Sequence, residues 1–192
     1  MMPQIRIRLL VGLGNPGGAY AETRHNMGFM LIDHLAARFS VAINREKFDV
    51  AFGRGRVADN EVLLAKPMAY MNRSGPPIRR LADYFGISGE EMLIAHDDID
   101  LAFTKLKIKK KGGHGGHNGV KSIIDAFGSR DFIRLRMGIG RPEAREQMVD
   151  HVLSRFMAAE RELLGQVISR AGAAVVEILG NGVEKGMNLF NQ

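Results

Sequence analysis

The sequence predicts an α/β fold, a single domain over residues 1–192 built on a mixed, twisted β-sheet flanked by helices. Three observations lead there. Short apolar or alternating runs recur between amphipathic segments of helical period. Two adjoining segments, 48–56 and 61–66, flank the turn Ala58-Asp59-Asn60 and read as an antiparallel pair. No internal repeat, low-complexity linker or composition break divides the 192 residues, a length that suits one hydrophobic core.

The elements follow in order. Residues 5–11 read as a buried strand that ends at the loop from Gly12. From 26 to 39, Met27, Met30, Leu31, His34 and Leu35 recur at helical spacing, with Asn26 as N-cap. After the antiparallel pair, Pro67 ends the second strand and 68–74 form a loop. A helix over 76–85 stops at Gly86. Residues 91–95 form a short apolar strand feeding His96-Asp97-Asp98-Ile99-Asp100, an acidic turn. In 104–109, Leu106 and Ile108 alternate with lysines, giving a strand with one wet face. A helix over 120–127 closes at Gly128, and a strand over 133–139 sets Arg134 and Arg136 opposite Leu135 and Met137. The rest is helical: 148–156 in pieces, a long amphipathic helix from 158 to 179 ended by Gly180-Asn181-Gly182, and a short tail helix.

Composition narrows the function. With no cysteine, disulfides and thiolate metal sites are excluded. Arginines interrupt the apolar run near the N-terminus, so it lacks the core of a signal peptide, and no window approaches the ~18 uninterrupted apolar residues of a membrane span. A cytoplasmic protein with no membrane partner is expected. Lys plus Arg exceed Asp plus Glu by 27 to 21, giving +6 and a pI near 9.8. The excess is clustered: Lys105, Lys107, Lys109, Lys110 and Lys111 are followed by Lys121, Arg130, Arg134, Arg136 and Arg141. Such a cluster suits an acidic or nucleic-acid partner. Tryptophan is absent and aromatics are 7%, which argues against an extended base-stacking platform.

Two glycine-rich segments stand out. Gly12-Leu13-Gly14-Asn15-Pro16-Gly17 has the spacing of a dinucleotide fingerprint, but that motif opens directly into a helix whose amides hold pyrophosphate. Here Pro16 has no N–H to give, the helix starts only near Asn26, and Asp33 sits inside it. The alternative is that the turn presents Asn15, whose amide can donate to a carbonyl and accept from an N–H, as recognition of a peptide-like group requires. Lys109-Lys110-Lys111 runs into Gly112-Gly113-His114-Gly115-Gly116-His117-Asn118-Gly119, where a polyanion can sit on the lysines while its reactive end nears bare backbone.

No G-x-S-x-G elbow or H-E-x-x-H motif is present, so a nucleophilic triad or zinc-protease site has little support. His114 and His117 are three residues apart, yet a glycine loop preorganises ligands poorly and the lysines repel a divalent ion. His25, in the loop before the first helix, is the candidate general base, and Asp97 the carboxylate that fixes its tautomer. The rival readings of Asp97, Asp98 and Asp100 are a solvated turn or a Mg²⁺ or Ca²⁺ site.

These segments, taken together, resemble bacterial-type peptidyl-tRNA hydrolase. The likeness is carried in family order by 11–17, Tyr20 with Thr23-Arg24-His25-Asn26, Lys66-Pro67 with Met71-Asn72-Ser74-Gly75, 95–101, 112–119 and 134–140, over residues 9–142. It implies the peptidyl-tRNA hydrolase-like fold, of the phosphorylase/hydrolase-like kind. It also implies an enzyme that cleaves the ester between peptide and tRNA, with no cofactor, no metal and a monomeric state. By resemblance His25 activates water, Asp97 orients it, and Asn15 distinguishes an N-acylated substrate from free aminoacyl-tRNA. Asn72 and Asn118 bind the peptide and ester region, Tyr20 and Tyr70 line the site, and Lys109 and Arg136 hold the phosphates of the tRNA acceptor end. Lys111 departs from a frequent glycine and Tyr70 from a frequent phenylalanine; beyond Pro142 the likeness is only that the chain is helical. A non-catalytic, splicing-type RNA-binding relative is the alternative, and the joint presence of Asn15, His25, Asn72, Asp97 and Asn118 argues against it.

Overall fold

The computed structural model describes residues 6–191. One mixed sheet of seven strands runs in the order β2-β3-β4-β1-β5-β7-β6, comprising β1 (Leu9–Gly12), β2 (Arg45–Lys47), β3 (Val50–Val57), β4 (Asn60–Pro67), β5 (Met92–Asp98), β6 (Leu106–Lys109) and β7 (Ile133–Gly138). The centre is parallel: β1 lies between β4 and β5, and β7 follows β5. Antiparallel partners complete both edges, β2 and β3 beside β4 and β6 beside β7. Four parallel strands therefore end at one sheet edge, where open α/β sheets present their ligand sites.

Helices cover both faces. On one side α1 (Met27–Arg38), α5 (Ala158–Asn181) and α6 (Val183–Phe190) bury Leu31, Leu35, Val167, Ala171, Val175 and Ile178 against the strands. On the other, α2 (Gly75–Phe85) and α3 (Asn118–Phe127) bury Ile78, Leu81, Val120 and Ile123. A short α4 (Met148–Leu153) bridges toward the sheet edge. Helix α5 is long and apolar enough to cross a membrane by composition, but its apolar stripe is spent on the core.

Most elements fall where expected, with informative exceptions. The first strand begins at Leu9 rather than Ile5, which lies outside the described residues. The edge strand β2 was not anticipated, because Arg45, Glu46 and Lys47 carry no apolar pattern and the strand exists by pairing with β3. Strand β5 runs three residues further than expected, through His96, Asp97 and Asp98, because neighbouring side chains pair with the acids and let them continue the ladder. Helix α3 starts two residues early, at Asn118. Arg134 is buried. It is 3% exposed beneath the glycine loop, donating to the Gly112 and Gly113 carbonyls, with its guanidinium stacked on Phe132. Burial, with Arg136 and Arg130 nearby, pushes its pKa down to about 10.

Candidate active site

Asp97 sits one residue from the end of β5 and is 1% exposed. Its Oδ1 lies 2.8 Å from His25 Nδ1 and 2.9 Å from His117 Nε2. Burial alone raises a carboxyl pKa, but the two imidazoles outweigh it and hold Asp97 well below the usual carboxylate range. An ionised carboxylate only accepts, so both nitrogens facing it carry protons.

The tautomers follow. His117 is the N-cap of α3, and its Nδ1 accepts from the Gly119 and Val120 amides at 3.1 and 3.3 Å. That nitrogen is therefore unprotonated and His117 is neutral, its one proton spent on Asp97. His25 likewise gives its Nδ1 proton to Asp97, leaving Nε2 as the free lone pair. Beneath them His96 is fully buried, its Nδ1 donating to the Asp97 carbonyl at 2.7 Å and its ring edge-on to His117 with centroids 4.6 Å apart. Burial, the largest cause, and His117 drive its pKa well below the ordinary imidazole value.

The turn carrying His25, a single 3-10 turn at Arg24–Asn26, is fixed from both sides. Buried Arg24 donates to Ser154 Oγ at 3.0 Å and to the Arg155 carbonyl, and pairs with Glu160, tying the α4–α5 junction to the turn. Asn26 was expected to cap α1 with its side chain; it makes no such bond. Its carboxamide instead clamps the Asn15 backbone, accepting from Asn15 N and donating to Asn15 O, both at 2.9 Å. Asn15 Oδ1 in turn accepts from Met71 N at 2.8 Å. The Asn15 acceptor is thus taken, and only its NH₂ remains to recognise a ligand, which narrows the two-way role expected of it.

A cleft of about 150 Å³ opens over this cluster, lined by His25, Asp97, His117 and Asn118 and walled by Met148, Val149 and Val152 of α4. Asn118 also borders a second hollow, with Asn72. Asn15 opens on a third, on the β4 side of the cluster. His25, Asp97 and His117 offer three donor atoms within 4.8 Å, a spacing a metal ion can use. Here those atoms already pair with one another, so an ion would have to break both hydrogen bonds.

A family model described as peptidyl-tRNA hydrolase matches residues 9–192. The chain belongs to the peptidyl-tRNA hydrolase family. Among its relatives, a peptidyl-tRNA hydrolase of Bacillus cytotoxicus is 51% identical over 154 residues, 80% of this chain and 83% of that one. One from Clostridium perfringens is 44% identical over 183 residues, 95% of this chain and 96% of that one. In three dimensions the chain is similar to the crystal structure of peptidyl-tRNA hydrolase from Acinetobacter baumannii, with a TM-score of 0.93, 38% identity and coverage of 100% of this chain and 97% of that one.

Of the residues singled out from the peptidyl-tRNA hydrolase resemblance, His25 and Asp97 are in contact and Asn118 faces the same cleft. Asn15 is joined to them through Asn26, and Asn72 through Asn118. Tyr20 is half-buried and Tyr70 is 60% exposed; neither hydrogen-bonds to His25 or Asp97 among the described residues. Arg136 lies opposite His96 on β7 and pairs with Asp98, while Lys109 is exposed at the end of edge strand β6. Sequence reasoning missed His117. The glycines around it suggested a loose loop, whereas the helix start immobilises it. A helix begun at 118 instead of 120 would have marked it as the cap.

Proposed function

We propose that this chain hydrolyses the ester joining a peptide to tRNA and frees the tRNA for reuse, with His25 as general base and Asp97 as its orienting anion. The observation that carries the reading is the buried Asp97 carboxylate 2.8 Å from His25 Nδ1, which leaves Nε2 open to the cleft. Nε2 takes a proton from water as its oxygen attacks the ester carbonyl. Asp97 stabilises the imidazolium that forms, and His117, held neutral by the α3 amides, adds no competing positive charge. The proton returns to the ribose oxygen as the ester bond breaks.

Asn118 sits where its amide can donate to the developing oxyanion, and Asn72 shares its hollow with it. The Asn15 NH₂ meets the carbonyl of an N-acyl group, which a free aminoacyl ester lacks. Lys109 and Arg136 draw the phosphates of the tRNA acceptor stem, and Tyr20 and Tyr70 line the approach. An ester is already activated, so these groups suffice without metal or cofactor. A monomer acting in the cytoplasm completes the reading.

The test is hydrolysis of N-acetyl-aminoacyl-tRNA, with free aminoacyl-tRNA spared. His25→Ala is expected to lower turnover on the order of 10²–10⁴-fold while tRNA binding stays within about threefold. Intact substrate after long incubation with folded protein would favour the RNA-binding alternative.

A further inference from the structure

We propose that the groove between α1 and the carboxyl end of β4 binds the upstream residues of the substrate's peptide; this rests on the reaction proposed above. The groove, about 320 Å³, begins at Asn15 and ends at the Lys66–Asp33 ion pair, 2.5 Å long. Asn15 opens on this groove and not on the cleft above His25. A peptide whose last amide is read by the Asn15 NH₂ is therefore delivered into the groove.

Sheet order gives the direction. Toward the carboxyl edge Arg136 on β7 comes first, then Asp97 on β5, Asn15 after β1 and Lys66 on β4, while antiparallel β6 carries Lys109 to the other edge, beside Arg134. tRNA, ester and peptide thus map onto successive strands. From β5 to β4 is two strand spacings, roughly 10 Å, which about three extended residues cover.

The lining suits a chain of any sequence. Phe29, Met30 and the partly exposed Met68 form apolar walls, and methionine adapts to different side chains. At Gly17 and Gly18 nothing lies within 4 Å of an added Cβ, so a ligand backbone can come close. The N–H groups of both glycines have no partner among the described residues and can donate to peptide carbonyls. The groove's two charges, Asp33 and Lys66, neutralise each other and select no side-chain charge.

The experiment compares one tRNA esterified with N-acetyl-phenylalanine or with an N-acetylated tetrapeptide ending in phenylalanine. Gly18→Phe fills open space at a backbone that is not left-handed, and Met68→Asp puts a charge on the wall. Each is expected to lower the long-to-short ratio of kcat/KM by roughly tenfold, through KM for the long substrate, about 1.4 kcal/mol of lost contact. An unchanged ratio in either variant, with the short substrate still cleaved, overturns the groove alone. A ratio that falls instead in Lys121→Ala, in the Asn72–Asn118 hollow, overturns it in favour of that exit. If the wild-type protein leaves the short substrate intact, the proposed reaction fails and takes the groove with it.

Discussion

A side chain added at Gly12 would lie 2.0 Å from the Gly28 carbonyl oxygen, whereas one added at Gly113 would meet nothing within 4 Å. The first glycine segment is crowded at Gly12 and Gly14: α1 begins directly against β1 and β5, and a Cβ on Gly28 would lie 2.3 Å from Leu13 N and 2.5 Å from the Ala95 carbonyl. That close approach brings the His25 turn to the end of β5, within reach of Asp97. In the second segment, before the buried Gly119, Gly115 at φ +59° and Gly116 at φ +83° serve to bend, and that part of the loop stays open to solvent. One residue type supplies proximity in one place and curvature in the other. The difference teaches that the chemistry is built into the packed side of the site, while the open side is free to meet a large polyanion.

The largest effect is expected on the crowded side. Asp97→Asn keeps an acceptor oxygen for His25 and His117 but removes the charge that stabilises the imidazolium. Single-turnover hydrolysis should slow on the order of 10²–10⁴-fold with KM little changed. His114→Ala, on the exposed loop, should leave the rate within about twofold, since among the described residues its Nδ1 bonds only the Gly116 amide two residues away. Equal losses in the two variants would dissolve the contrast.

Stability separates the segments next. Gly28→Ala forces backbone atoms apart and should cost about 3 kcal/mol or more, read as a lower denaturation midpoint. Gly115→Ala faces open space and should cost only the left-handed conformation, about 1–2 kcal/mol. Reversed magnitudes would mean that the open loop, not the α1 contact, is the tightly packed part.

The same contrast explains what the sequence revealed. The β3–β4 pair was legible because turn residues and alternation are local, and α2 and α3 were legible from apolar period and closing glycines. At the site, His25 and Asp97 could be nominated because a base needs an anion and two loops offered them. His117, Asn26, Arg24 and Arg134 could not, for each owes its role to partners far along the chain: Asp97, Asn15, Glu160 and the glycine-loop carbonyls. The extension of β5 through its acids escaped for the same reason. Carboxylates read as a solvated turn until the imidazoles and Arg136 that pair with them are in view.

A smaller effect tests how dry the crowded side is. Unfolded His96 binds a proton as pH falls below about 6.5, while the folded residue, buried and lowered well below that value, stays neutral. The unfolded state then holds more protons, so stability declines as pH falls from neutral, by up to about 1.4 kcal/mol per pH unit for one such group. His34, lowered by burial and by Arg38, acts in the same sense. Asp97 acts in the same sense in a lower window: its contribution is full above the unfolded carboxylate value of about 4 and is lost only as pH falls further toward its depressed folded value. His96→Phe should therefore flatten the stability curve between about pH 7 and 5 while leaving the decline below about pH 4. Denaturant titrations across that range decide it, and an unchanged slope would mean that His96 is protonated in the folded protein.

The smallest effect belongs to the open side. Lys109 is exposed and makes no ion pair among the described residues, so a phosphate gains its full charge. Arg136 already shares its guanidinium with Asp98, and a phosphate must compete for it. Plotting log binding constant for uncharged tRNA against log salt, Lys109→Ala should lower the slope by about one, and Arg136→Ala by less. Neither should change the rate of bound substrate by more than about twofold, because neither bonds His25 or Asp97. A Lys109 variant with an unaltered slope would place the phosphates elsewhere on the basic cluster, and an Arg136 variant with the larger loss would show that tRNA displaces Asp98 on binding.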